Sequence, residues 1–446
     1  MSAEPVTLDN CAREPIHIPG SIQPHGALFV CRGSDAVVTQ VSANVEAWCG
    51  RPVAQVIGAP LASLLSEASA SDLAMALRQR VLREVSPLRV VLGNGSALDA
   101  TLHRSGERLI VELERASPAS SAFPRGFDPR LRASVLHMQQ AIDVRRLCEV
   151  AAKEVRLVTG FDRVMVYRFD AAWNGEVVAE ERRADLEPFL GLHYPASDIP
   201  EQARRLYTVN WLRMIADVAY QPVPLEPLLD PETGMPLDLS HAVLRSVSPI
   251  HIEYLRNMAV KASMSVSLVT DGKLAGLIAC HHYSGPKVVD PVARATSEFL
   301  GQSLSWQLRV LEGAQVADRM RQVKHHEAEL VRSIVSAAEL LDGLEHPSLL
   351  ALTDACGAAA VLDEGTRLVG ETPGHTKVAE IVAWLRAQPE DVMATDQLDV
   401  QMHGDALETA AGLLAVPISR DLGEYLLWFR PSTERTVDWA GDPRKV

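Results

Sequence analysis

The sequence predicts an α+β protein: antiparallel sheets flanked by helices, in about three units joined by a long helix. Three observations carry this expectation. At 446 residues the chain exceeds what one core usually organises. Short apolar or alternating runs rich in β-branched residues recur between helical stretches and are bounded by Gly, Pro and Asp. Residues 291 to 342 then read as almost unbroken helix, ~75 Å long at about 1.5 Å per residue.

Taken in order, residues 11–26, "CAREPIHIPGSIQPHG", hold three prolines and two glycines and read as extended, irregular chain. Strand-like "GALFV" and "DAVVTQVS", helical "DLAMALRQRVL", and strand-like "LRVVLG" and "RLIVELE" follow, which suggests a compact sensor-type domain. "ASPASSAFPRGFDP" (116–129) reads as a linker. The second block opens with one amphipathic helix over 131–160, followed by strands "RVMVYRF", "GEVVAEE", "ASMSVSLVT" and "KLAGLIACHH". Asp271-Gly272 between the last two signals a hairpin. Residues 220–238, rich in proline, are too long and irregular for a routine connection and predict a functional excursion. On the long helix, Leu304, Leu308 and Leu311 make an apolar stripe that predicts pairing with a twin; the alternative is a helix broken at Gly313 and packed on its own core. A third block supplies strand-like "AAAVLDE", helical "KVAEIVAWLRAQ", and strand-like "GLLAVPIS" and "EYLLWFR". Its ending at Val446 reads as a cut.

Composition narrows the function. A net charge of −14 argues against nucleic acid as the main partner. The opening "MSAEPVTLDN" lacks the basic and apolar regions of a signal peptide. No apolar run approaches the ~18 residues that span a bilayer, so no membrane partner is expected. Cys11, Cys31, Cys49, Cys148, Cys280 and Cys356 form no C-x-x-C pair and fit reduced thiols in a cytoplasm. No phosphate loop, dinucleotide fingerprint, H-E-x-x-H or G-x-S-x-G is present, so catalysis and metal ligation are not expected.

Several residues can grip an acidic, partly apolar ligand. Arg213 and Arg245 are candidates for bidentate carboxylate binding. Ser263 and Ser265 alternate along one strand and share a face. His251, His281, Tyr167, Tyr207 and Tyr254 offer aromatic surface with polar tips. Asp198 precedes Glu201 by the three residues of a capping box, with Pro200 in the first turn. Cys11 lies in the irregular tail, where a thiol is either incidental or reactive.

"CAREPIHIPGSIQPHG", "FDRVMVYRFD", "YPASDIPEQARRLY", "LRSVSPIHIEYLRNM", "SMSVSLV" and "GLIACHH" together resemble a bacteriophytochrome over essentially the whole chain. The resemblance implies a PAS domain with the attachment tail (1–118), a GAF chromophore-binding domain (130–312) and a PHY domain ending within its tongue (313–446). It implies a red/far-red photoreceptor that holds biliverdin IXα in the GAF pocket, joined by a thioether to Cys11. Plant and cyanobacterial branches place the attachment cysteine directly before the pocket histidine; Ile250 stands there, which points to biliverdin.

Carried over by motif, the Asp198 carbonyl accepts from pyrrole N–H groups and its carboxylate meets the PHY domain. His251 sits beside the inner rings and His281 near ring D, while Arg213, Arg245, Ser263 and Ser265 hold the propionates. Tyr167, Tyr194 and Tyr207 line the swing space of ring D, with Met165 and Phe189 nearby. The motifs add Ile199, Pro200, Ser248 and Tyr254 to the ligand-contacting set. Ile22 marks where the tail crosses a GAF loop. The implied partners are a second copy, paired through GAF and linker helices, and a histidine kinase or other output module with its response regulator. Without the returning half of the tongue, the chain is expected to absorb red light but to hold the far-red state poorly. The alternative is a GAF-type metabolite or nucleotide sensor with Cys11 incidental.

Overall fold

The structure, a computed structural model, describes residues 13–33, 36–116, 129–336, 340–390, 392–402, 409–433 and 436–440. The chain forms two compact units, residues 1–311 with 437–446, and residues 312–436.

In the first unit the strands are β1 (Ser21–Ile22), β2 (Gly26–Arg32), β3 (Val37–Ser42), β4 (Leu88–Val91), β5 (Ala97–Ser105), β6 (Arg108–Arg115) and β7 (Arg163–Phe169). They continue as β8 (Gly175–Arg182), β9 (His193–Tyr194), β10 (Leu212–Ile215), β11 (Val223–Glu226), β12 (Ala262–Thr270) and β13 (Lys273–His282). One antiparallel sheet runs β1-β11-β3-β2-β6-β5-β4 and the other β10-β12-β13-β7-β8-β9. The run "GALFV" is apolar throughout because both faces of β2 are covered. Ala27 and Phe29 face Leu73 and Ala76 of the helix Glu67–Leu77, while Leu28 and Val30 face Leu225 and Leu237 of the proline-rich excursion and Leu244 just beyond it. That excursion enters the first sheet as β11, so it is part of the fold and not an ornament.

The second sheet sorts its residues by period two. Val164, Val166, Met264, Val266, Ile278 and Cys280 pack under the helices Val144–Thr159 and Pro291–Ser336. The β12–β13 turn at Asp271-Gly272 puts both residues at positive φ, 53° and 73°, as a two-residue hairpin requires.

Four expectations change. The helix over 131–160 is two helices, Pro129–Gln139 and Val144–Thr159; Asp143 caps the second by accepting from the Arg146 N–H at 2.7 Å. The strand β5 has no counterpart in the sequence reading; its buried Asp99 and His103 hide the apolar pattern. The helix expected at 72–82 begins earlier, at Glu67, where Ser66 caps it, and ends at Leu77. The stripe predicted to meet a twin instead lies in the chain's own core: Leu304 and Leu308 join Leu300 beneath the second sheet, and the helix continues through Gly313.

The second unit has one sheet, β15-β14-β18-β17-β16, built from β14 (Gly357–Leu362), β15 (Gly365–Gly370), β16 (Met393–Thr395), β17 (Gly412–Ser419) and β18 (Glu424–Arg430). The helix His375–Arg386 covers one face through Val378, Ile381 and Leu385. Leu330, Leu344 and Leu349 cover the other, against Ala358 and Trp428. Among the described residues, no helix is long and apolar enough to cross a membrane.

Candidate functional site

The face of the second sheet away from the apolar core carries the chemistry. Register pairs Arg213 with Ser265, Ser263 with His281, Ser265 with Ala279, Ala279 with Met165, His281 with Arg163, and Leu277 with Tyr167. Paired residues in an antiparallel sheet project to one side. The same alternation that buries Met214, Met264, Cys280 and Val164 therefore gathers Arg213, Ser263, Ser265, His281, Arg163, Met165 and Tyr167. The helix Glu201–Val209 packs on β12 and β13, and the helix Pro249–Asn257 brings Ile252 and Leu255 against Ile215.

At one end lie the two arginines, both buried. Arg213 donates to the Val243 carbonyl at 3.3 Å and to the Arg245 carbonyl; Arg245 donates to the Leu239 and Ser240 carbonyls at 3.4 and 3.3 Å. Among the described residues neither makes an ion pair with a carboxylate. Burial pushes both guanidinium pKa values down, and Arg213 pushes Arg245 down further. Two buried cations side by side call for an anion.

At the other end, Met165, Tyr167 and Tyr194 are buried in a cluster with half-buried Phe189, Ile199 and Tyr207. Tyr167 and Tyr194 approach with ring centroids 5.8 Å apart. Gly175 leaves room for Tyr167: a Cβ there would sit 1.7 Å from the Tyr167 Cζ. Asp198 accepts from the Tyr254 hydroxyl at 3.3 Å, and Tyr254 stacks on His251 with centroids 6.1 Å apart. The Asp198 loop is tied down by Arg204, which donates to the Ile199 carbonyl at 2.8 Å and lies over the Trp173 ring.

Burial keeps the neutral forms. It lowers His251 to about 4, helped by Arg213, and His281 to about 3, helped by Arg163 and His251. It pushes Tyr194 up to about 12 and raises Tyr167 and Tyr254, with Asp198 adding to both of the latter. His281 is buried, and its Nδ1 has no hydrogen-bond partner among the described residues.

Of the residues singled out from sequence, Cys11 lies outside the described residues. Ile22 is fully buried and bridges to Arg245. Ser248 stands at the start of its helix without a side-chain cap bond. The capping box is corrected: Pro200 takes the N-cap of Glu201–Val209, while Asp198 ends a separate turn, Ala196–Asp198, with its carboxylate at Tyr254. The cap is shifted because Pro200 is already extended, with ψ 161°.

Two residues escaped the sequence reading. Arg163 sits 3.5 Å over the Phe189 ring and donates to the Glu187 carbonyl at 2.6 Å, opposite His281. Its alternation with Met165 and Tyr167 was the available signal. Gln23, fully buried, donates to the Met214 carbonyl at 2.8 Å and accepts from the Ala216 N–H at 3.1 Å, joining the tail to the site's edge strand. No periodicity marks it.

The segment 17–23 threads between two parts of one loop. Leu225 donates to the Gly20 carbonyl on one side; on the other, Gln23 donates to Leu244, Ser246 to Ser21, and Leu239 to His17.

Fold and site define a class: a sensor chain in which residues 11–116 match the PAS fold, 143–310 the GAF domain and 323–446 the phytochrome region. A cyanobacterial phytochrome B from Nostoc sp. is 43% identical across 99% of this chain and 60% of its own length. A bacteriophytochrome from Xanthomonas campestris pv. campestris is 35% identical across 99% of this chain and 72% of its own length. The crystal structure of a bacteriophytochrome from R. palustris superposes with a TM-score of 0.88 at 39% identity, covering 98% of this chain and 89% of that one. The photosensory core module of a Stigmatella aurantiaca phytochrome gives 0.84 at 41%, covering 99% and 89%. The chain belongs to the phytochrome family of bilin-binding photoreceptors. It spans about three fifths of the length of the first curated relatives it matches.

Proposed function

We propose that this chain is a red/far-red photosensory module that binds biliverdin covalently through Cys11 and passes a conformational signal onward. One observation carries the reading: two buried guanidiniums, Arg213 on the sheet face and Arg245 on the loop beside it, make no ion pair with a carboxylate among the described residues, and that face also carries neutral His281 and Tyr167, packed against Tyr194. That arrangement fits an extended pigment, acidic at one end and apolar at the other. When bound, the bilin supplies absorption of red light and a double bond that isomerises.

The residues of the chain do the rest. Arg213 and Arg245, with Ser263 and Ser265, anchor propionates by charge-assisted bonds. His251 and His281, held neutral, donate and accept without adding charge. Tyr167, Tyr194 and Tyr207 offer contacts that exchange, as a bistable element needs. Asp198 and Tyr254 form the polar pair that changes partner with the state of the pigment. The Cys11 thiol adds S–H across a carbon–carbon double bond of the pigment: the sulfur forms the thioether, the proton goes to the neighbouring carbon, and nothing leaves.

Two copies pair through GAF and linker helices, a reading supported by Trp306 and Val310, exposed on the same helix that buries Leu300, Leu304 and Leu308. In the longer protein the output is a histidine kinase or other module acting on a response regulator in the cytoplasm; residues 1–446 perform no catalysis.

The test is co-expression with a biliverdin source, followed by absorption spectra and zinc staining of a denaturing gel. A red-absorbing holoprotein with a fluorescent band that Cys11→Ser abolishes is expected. Protein that stays colourless with ample pigment overturns the reading.

A further inference from the structure

Glu112 stands on β6, in the first sheet, yet its carboxylate is fully buried against the loop that carries Arg245. It accepts from the Val243 N–H at 3.1 Å and from the Leu244 N–H at 2.6 Å. The carbonyls of the same short segment are taken by other groups: Val243 by Arg213 at 3.3 Å, and Leu244 by the Gln23 N–H at 2.7 Å. The three residues before and at Arg245 are thus held from one side by a carboxylate and from the other by Arg213.

The charges around Glu112 point the same way. Two residues along β6, Glu114 is committed to Arg294, with 2.8 Å between Arg294 Nη1 and Glu114 Oε1, and has His25 Nε2 at 3.7 Å. From β5, His103 Nδ1 lies 3.7 Å from Glu112 Oε1. Glu112 itself makes no ion pair with an arginine among the described residues. It nevertheless favours the charged forms of both Arg213 and Arg245, whose other acidic neighbour is Asp238, beside Arg245. It is the first sheet's contribution to a pair of cations that no carboxylate pairs directly among the described residues.

We infer that Glu112 is a positioning residue and proton-linked counter-charge of the pigment site, which takes up a proton when a dicarboxylate binds at Arg213 and Arg245. The inference rests on the pigment reading above. A carboxylate buried near two cations loses its proton more readily while they face it alone, so above its own pKa it is mostly ionised. Two ligand carboxylates satisfy those cations and add negative potential, so the ionised Glu112 becomes less favourable and a proton is drawn in. The two N–H groups bond different oxygens, Val243 to Oε1 and Leu244 to Oε2, so with the proton on Oε1 the carboxyl keeps the shorter bond from Leu244 through its carbonyl oxygen, and Arg245 keeps its place. In the free chain burial raises Glu112 to about 7, with Glu114 adding to the rise while the two N–H bonds and Arg294 oppose it, so the linkage falls in an accessible range.

The experiment measures biliverdin binding to the Cys11→Ser variant of residues 1–446, where binding is reversible, by calorimetry in buffers of different protonation enthalpy. Biliverdin dimethyl ester, whose propionates carry no charge, is the comparison; protonation of the pyrrole nitrogens is common to both pigments and cancels. At pH 8 biliverdin should draw up to about one proton more than the ester, and at pH 6 almost none, because Glu112 is then already protonated. Correspondingly, its affinity should fall about fivefold more than that of the ester between pH 7 and 8. Glu112→Gln should erase the difference between the pigments. Equal proton uptake by both at pH 8 overturns this inference while leaving the pigment reading intact, and needs no variant of Glu112. A difference that persists in Glu112→Gln overturns it as well. A chain that binds neither pigment overturns the proposed function, and this inference with it.

Discussion

Replacing His281 by glutamine should make the first unit less sensitive to acid, and the size of the effect follows from burial. In the unfolded chain the imidazole takes a proton near 6.5; in the fold it resists until about 3, because burial, Arg163 and His251 all disfavour the cation. Stability is therefore intact above pH 6.5 and lost progressively as pH falls toward the folded value. At pH 4.5 the difference amounts to about 2.5 kcal/mol from His281, and a similar amount from His251, whose folded value is about 4. Against total stabilities of about 5–15 kcal/mol this is a large fraction. The assay is urea denaturation of the parent and His281→Gln at pH 7 and pH 4.5, followed by circular dichroism. The quantity read is each protein's loss between the two pH values, so any fixed penalty of the substitution cancels, as do the contributions of His25 and the carboxylates. The variant should lose about 2–3 kcal/mol less than the parent. Equal losses would show that His281 is not held neutral in the fold, and the argument for an uncharged, hydrogen-bonding imidazole on the ligand face would fail with it.

Arg294→Met strands the buried Glu114 carboxylate and should lower stability by about 3–5 kcal/mol in urea melts, with Glu114→Gln in the same chain restoring much of it. Leu304→Ala, at a fully buried position of the long helix, should cost about 2–5 kcal/mol. By contrast Trp306→Ala, 70% exposed two residues on, should leave monomer stability within about 0.5 kcal/mol and weaken self-association measured by sedimentation. Gly175→Ala forces a Cβ into the Tyr167 ring; the chain should fold with Tyr167 displaced, read as a shifted absorption maximum of the pigmented protein and altered near-ultraviolet dichroism.

Much of the site was legible wherever period two applied. Ser263 and Ser265 share a face in the sequence and in the fold, and the Asp271-Gly272 hairpin pairs their strand with the one carrying His281. Arg163 was equally readable, two residues before Met165, but a charged residue opening a strand looks like a solvated end until Phe189 is found over it. Asp198 shows the opposite failure. The spacing to Glu201 is local and correct for a cap, yet a tertiary partner, Tyr254, took the carboxylate.

The sequence by itself determined the α+β class, most of the strands, the longer helices, and a list of candidate groups for gripping an acidic, partly apolar ligand, because local periodicity and side-chain chemistry are written residue by residue. Only the tertiary structure decided what each apolar stripe and each charge would face. The stripe at Leu304 went to its own core, the proline-rich excursion became a strand of the first sheet, and Glu112 came to hold a loop more than a hundred positions away. Such pairings join residues distant along the chain, where burial and charge compensation are settled by the whole fold and leave no local pattern to read.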